Sequence, residues 1–155
     1  MTDSTLTINN ILAPELTLCG VSASSKKRIL EFIAEKVAGH YPELDETQIF
    51  NNLVARERLG STGIGQGIAI PHCRLEGCTR VVGALVTLKE GVAFDAIDNQ
   101  PVDLLFTLIV PKEATSEHLE LLSQLAEKFN ERSFCDSLRA CSGSDDLYRQ
   151  MTGNG

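Results

Sequence analysis

The 155-residue sequence has no block of basic residues: its densest cationic cluster is Lys26-Lys27-Arg28, and its formal net charge is −7. That argues against a nucleic acid as partner, because proteins that bind a phosphate backbone carry a basic footprint. It also has no apolar run of bilayer length. The longest strongly apolar stretch, Leu104 to Val110, falls far short of the roughly 20 residues a spanning helix needs, so no membrane insertion is expected. The polar start, MTDSTLTINN, carries no signal pattern. Five cysteines, at 19, 73, 78, 135 and 141, are odd in number and contain no C-x-x-C pair. A disulfide scaffold and a zinc site both lack their spacing, and the thiols read as structural. With no repeat, linker or low-complexity tract either, the expectation is one cytoplasmic domain over residues 1–155, with 43% hydrophobic and 23% charged residues.

What is present reads as alternating helices and strands. SSKKRILEFIAEKVA, residues 24 to 38, has a serine cap at Ser24 or Ser25 and apolar residues Ile29, Leu30, Ile33 and Val37 at helical spacing before Gly39. A second helix is expected from Asp45 to about Leu59, with a capping box of Asp45 and Gln48 and a staple of Leu44 and Ile49. Ile68-Ala69-Ile70 reads as a short buried strand and Val81 to Leu88 as a longer one. Asp98-Asn99 suits a turn, and Val102 to Val110, apolar on both faces, reads as a central strand closed by Pro111. A third helix opens at Thr115 or Ser116 with a stripe of Leu119, Leu122, Leu125, Ala126 and Phe129, and Ser133 and Ser144 mark two short helices after it. The pattern predicts an α/β layered sandwich, with a mixed β-sheet flanked by helices.

Between the second helix and the short strand lies GSTGIGQGIAIPH, Gly60 to His72, with four glycines in its first eight positions. No lysine follows these glycines as a P-loop requires, and the order helix, glycines, strand is the reverse of a dinucleotide fingerprint. What remains is a nest of backbone N–H groups with two hydroxyls, Ser61 and Thr62, able to hold the oxygens of one phosphoryl group. Arg56 and Arg58 close the preceding helix; each can support such a group, and each also suits the helix dipole. His72, fixed by Pro71 at the end of an apolar strand, is a competent neutral nucleophile at cellular pH. His118, in the first turn of the third helix, reads from spacing alone as a residue packed beside Leu122. His40 reads as helix-end chemistry. Asp95, Asp98 and Asp103 form no pair at a definable distance, and Cys73 has no thiol-hydrolase signature around it.

RERLGSTGIGQGIAIPH, Arg56 to His72, resembles the active-site segment of the type-2 IIA proteins of the bacterial phosphoenolpyruvate-dependent phosphotransferase system. AFDAIDNQPVDLLFTLIVP, Ala93 to Pro111, looks most like the nitrogen-regulatory branch, and the similarity continues through HLELLSQLA. The resemblance implies that His72 takes a phosphoryl group from the phosphohistidine of a small HPr-like carrier protein. It places the supporting charge on Arg56, a second active-site histidine on His118, and the S-T pair beside the phosphate on Ser61 and Thr62. It implies no metal and no cofactor. Where most of the family carries glycine after the histidine, this chain has Cys73, and an exposed thiol there would open the site to oxidation. Two functions follow from the resemblance: a regulator whose targets, such as potassium-transport proteins or sensor kinases, distinguish phosphorylated from unphosphorylated His72, or a sugar-transport component passing phosphate to a separate IIB domain for fructose or mannitol. The branch resemblance favours the first.

Overall fold

The structure, a computed structural model, describes residues 7–113 and 116–153. Its elements are α1 (Ile8–Ile11), β1 (Leu12–Val21), α2 (Lys26–His40), α3 (Glu46–Arg58), β2 (Gly63–Gly65), β3 (Ile68–Ala69), β4 (His72–Leu75), β5 (Val82–Val92), β6 (Val102–Pro111), α4 (Ser116–Phe129), α5 (Arg132–Arg139) and α6 (Ser144–Thr152). Local chemistry sets two of the helix starts. Ser25 accepts a hydrogen bond from the Arg28 N–H, and Asp45 accepts one from the Gln48 N–H at 2.9 Å. The expected stop at Gly39 is not used: α2 runs through it to His40.

The strands form one six-stranded mixed sheet in the order β1-β5-β6-β3-β2, with β4 also on β6. β5 and β6 pair antiparallel, while β1 runs parallel to β5, and β3 and β4 both run parallel to β6. Side chains alternate between two cores. On one face Val82, Val86, Leu105 and Ile109 meet Ile29, Ile33 and Leu53 of α2 and α3. On the other, Leu85, Leu104, Phe106 and Leu108 meet Leu121, Leu125 and Phe129 of α4, with α5 and α6 alongside. β6 is apolar on both faces for this reason, as a strand covered by two layers must be. The expected layered α/β sandwich is the observed one.

Three details depart from expectation. Not expected from the sequence is β1, which carries Pro14; it is an edge strand, where a missing N–H is tolerated. α4 buries Leu121, Leu125 and Phe129, whereas Leu119 is 54% exposed. The four-residue spacing from Leu121 carries the contact with the sheet, and Leu119 stands two positions before it. Thr115, one of the two caps considered for α4, lies outside the described residues. At the carboxyl end the caps differ as well. Glu131 and Gly143 occupy the N-cap positions without side-chain bonds, and the Ser144 hydroxyl instead accepts from the Cys19 N–H of β1 at 3.2 Å.

Candidate functional site

β3 and β4 lie end to end along β6, interrupted at Ile70-Pro71. The interruption follows from chemistry: proline has no N–H to donate to the ladder, and its own carbonyl accepts from Leu108 N at 2.9 Å. The Ile70 carbonyl instead meets the His72 ring, with Nδ1 at 2.8 Å. A carbonyl only accepts, so Nδ1 carries the proton. On the other side of the ring the Arg56 Nε–H donates to His72 Nε2 at 3.2 Å, which requires a lone pair on Nε2. The two bonds together define one neutral tautomer, Nδ1–H, with Nε2 as the free base.

Arg56 is itself held. It stands in the last turn of α3, and its Nη1 donates to the Gly60 carbonyl at 2.8 Å. His72 lies below the usual imidazole range: burial of the ring is the largest cause, opposed by the bond to Ile70, with the Arg56 charge lowering it further and Glu57 raising it. The ring is therefore neutral at neutral pH.

His72 opens into a groove of about 750 Å³ shared with Arg56, Arg74, Lys112 and His118, and walled by Leu108 and Leu122 among others. The structure thus brings three of the residues singled out from the sequence, His72, Arg56 and His118, to one cleft. His118 is half-buried at the start of α4 and also borders a smaller neighbouring depression beside Arg80 and Tyr41. Arg58 points away, into a different depression with Lys26 and Lys27.

Ser61 and Thr62 are not in the cleft. The Ser61 hydroxyl donates to the Phe94 carbonyl at 2.6 Å and accepts from the Gly63 N–H at 3.0 Å. Thr62 is buried, with its hydroxyl donating to the Glu57 carboxylate. The glycines do not form an open nest either. A Cβ on Gly63 would stand 2.8 Å from the Ala96 Cβ, and Gly67, at φ +80°, passes 2.7 Å from the Arg139 guanidinium at the ideal Cβ position. Their smallness serves close packing of the β2–β3 hairpin against residues 96–103 and α5.

The acidic residues divide in the same way. Asp98 is a turn cap, accepting from the Gln66 and Gln100 N–H groups, and these bonds hold its carboxyl below the usual range. Asp103 receives Arg139 at 2.9 Å. Among the described residues, no group of three or more His, Cys, Asp or Glu side chains is placed to hold a metal ion.

Cys73 corrects the expectation of an exposed, oxidisable thiol. It points into the core, 6% exposed, and burial pushes its thiol up to about 12. A buried protonated thiol is inert. In the native protein Cys73 is expected to resist iodoacetamide at pH 8 and to react only after unfolding, as peptide mass mapping would show; native labelling at Cys73 would contradict its burial.

Arg74, which lines the cleft, and Glu57, buried behind it, both have signals in the sequence. Arg74 follows His72 by two along β4, so both leave the same face, and its Nη1 donates to the Lys112 carbonyl at 3.3 Å. Glu57 follows Ile49 and Leu53 at four-residue spacing, which puts a carboxylate on the buried face of α3.

The family model for "Phosphoenolpyruvate-dependent sugar phosphotransferase system, EIIA 2" matches residues 10–153. The nitrogen regulatory protein of Pseudomonas aeruginosa is 52% identical over 142 residues, 92% of each chain. That of Escherichia coli is 46% identical over 151 residues, 97% of this chain and 92% of its own. The crystal structure of nitrogen regulatory protein IIA-Ntr from Neisseria meningitidis superposes with a TM-score of 0.87 at 41% identity, covering 93% of this chain and 98% of that one. Among the described residues no helix is long and apolar enough to cross a membrane. The chain belongs to the type-2 EIIA family of the phosphoenolpyruvate-dependent sugar phosphotransferase system, and relatives there that are 46–52% identical over more than nine-tenths of its length are nitrogen regulatory proteins.

Proposed function

We propose that the protein accepts a phosphoryl group on His72 Nε2 from the phosphohistidine of a small HPr-like carrier protein, and that the phosphorylated and unphosphorylated forms are read by regulatory partners. The observation that carries this reading is the ring's pair of bonds, Nδ1 to the Ile70 carbonyl and Nε2 to Arg56, at the wall of an open cationic groove. In the transfer the donor's P–N bond breaks and a bond from phosphorus to His72 Nε2 forms. The donor, protonated on its other nitrogen, leaves as a neutral imidazole. His72 keeps its Nδ1 proton and becomes a phosphoimidazolium, whose N–H the Ile70 carbonyl continues to accept. Arg56 loses the lone pair it was bonded to and turns its N–H groups to the phosphoryl oxygens. His118, on the same groove, supplies a second contact to the group in flight.

The transferred group adds about −1.5 to −2 charges to a rim that carries Arg56, Arg74 and Lys112. Such a change in local potential is enough to switch an interface, and this supports regulation. Kinship with nitrogen regulatory proteins supports it too.

The reading is tested by intact mass after incubation with phosphoenolpyruvate, the first enzyme of the system and the carrier. One acid-labile phosphoryl group is the expected gain; no gain with a charged carrier and a folded protein would refute it. Discharge of the phosphorylated protein to a fructose- or mannitol-specific IIB domain would move the function to sugar transport.

This reading assigns Ser61 and Thr62 to the scaffold, since their hydroxyls are engaged elsewhere. Ser61→Ala is expected to change the acceptance rate within about threefold, and Thr62→Val, which takes one donor from Glu57, by about tenfold at most, whereas losing a donor to the transferring group costs on the order of a hundredfold. A hundredfold loss in either variant would return that hydroxyl to the phosphate.

A further inference from the structure

Glu57 is the one buried charged residue among the described residues. Burying a carboxylate is costly unless it is paired and hydrogen-bonded, and here both oxygens are engaged. Oε1 faces the Lys26 ammonium at 2.8 Å and accepts from the Thr62 N–H at 3.1 Å, while Oε2 accepts from the Thr62 hydroxyl. Lys26 is pinned in turn by the Phe94 carbonyl at 3.2 Å and lies 4.6 Å from the centre of the Phe94 ring.

From Thr62 the bonds continue toward the cleft. The Ile70 N–H donates to the Thr62 carbonyl at 3.0 Å, and the Ile70 carbonyl accepts from His72 Nδ1 at 2.8 Å. The Ile70 carbonyl lies at the break between β3 and β4 and bonds to the ring rather than to β6. Its place is set by the Ile70 N–H on Thr62, and that of Thr62 by its two bonds to Glu57. Glu57, Thr62, Ile70 and His72 thus form one line, from a buried ion pair to the reacting ring.

We propose that Glu57 is a positioning residue for phosphoryl acceptance, holding Thr62 and through it the Ile70 carbonyl that keeps His72 in its Nδ1–H form with Nε2 free. The proposal rests on the carrier function above. A neutral imidazole has two tautomers, and only this one presents a lone pair to the groove. If the carbonyl is displaced, the Arg56 N–H alone opposes a shift of the proton to Nε2, and in the fraction of molecules that shift the nucleophile is lost. Glu57 also helps electrostatically: its charge favours a protonated ring, and the phosphoimidazolium product carries the same positive charge. The competing role is purely structural, a staple of α3 to the start of α2.

The test uses Glu57→Gln, which keeps the shape and removes the charge, and Glu57→Gln/Lys26→Met, which removes the leftover ammonium as well. The tautomer of unphosphorylated His72 is read from its ring 15N shifts at neutral pH, together with the exchange rate of its Nδ1–H. Wild type is expected as the Nδ1–H form alone. Both variants are expected to show a mixture with faster N–H exchange, and acceptance roughly tenfold slower at saturating carrier with an unchanged KM. The double variant should keep this signature even where its melting temperature returns to that of wild type. An unchanged tautomer and rate in both variants would overturn the proposal and leave Glu57 as a staple. A displaced tautomer in a protein whose wild type takes no phosphoryl group would overturn the carrier reading while sustaining the positioning role.

Discussion

His72→Ala is expected to take up no phosphoryl group from a charged carrier, while its circular dichroism and melting transition stay close to wild type. The complete loss follows from the chemistry: the substitution removes Nε2, the atom that takes the group in the proposed transfer. The fold should survive because the ring is only half-buried at the wall of an open cleft, where water reaches the groups it leaves. His72→Asn makes the control sharper. Its amide N–H reproduces the donor to the Ile70 carbonyl but offers no nucleophilic nitrogen, so it should fold like wild type and remain inert. Phosphorylation of either variant, seen as an added mass, would move the acceptor to another residue, with His118 the first to examine.

Arg56→Ala should lower the acceptance rate about a hundredfold, on the order of 3 kcal/mol of transition-state stabilisation. Arg56 does two separable things. It bridges His72 Nε2 and the Gly60 carbonyl, so it fixes the end of α3 against the reacting ring. It also supplies the nearest positive charge to the developing phosphoryl charge. Arg56→Lys keeps the charge but cannot span both partners, and should fall between wild type and alanine.

The pH profile gives an independent reading. The His72 ring protonates below its ordinary value of about 6.5. Acceptance should therefore hold steady as pH falls through that value and decline only below it. Arg56 is one of two lowering causes, and the larger, burial, remains in the variant. In Arg56→Ala the acid limb should thus move up toward the ordinary value. The same sign applies to stability. Between the ordinary value and the lowered one the unfolded chain binds a proton that the folded chain does not, so stability falls as pH falls through that window. A profile that does not move in Arg56→Ala would mean that the guanidinium is not beside the ring in solution.

Much of this was legible in the residues because it rests on near neighbours. Ser25 and Asp45 cap helices whose N–H groups lie three positions on, so sequence distance and spatial distance coincide. The double-sided apolar run of β6 could mean only a strand between two layers. Arg56 and His72 carry a motif long enough to be matched residue by residue. What misled was a residue type read without its partner. Glycines at 63, 65 and 67 fit a phosphate nest as well as a tight hairpin, and only the nearness of Ala96 and Arg139 separates the two. Cys73 looked exposed because its neighbour is; in a strand, neighbours face opposite ways, and the core took it. Leu119 and Leu121 both fit a helical stripe, and the sheet's position chose the second.

The sequence by itself determined the layered α/β class, the helix start at Asp45 and, to within one residue, that at Ser25, and it singled out His72 as the proposed acceptor, because each is encoded in spacing and side-chain type over a few residues. Only the tertiary structure decided that Thr62 bonds to Glu57, that Ile70 turns its carbonyl to the ring, and that the His72 proton sits on Nδ1. Those facts depend on hydrogen bonds between segments brought together by the sheet. A hydrogen bond is satisfied by whichever partner the fold delivers within about 3 Å, and no local pattern names that partner in advance.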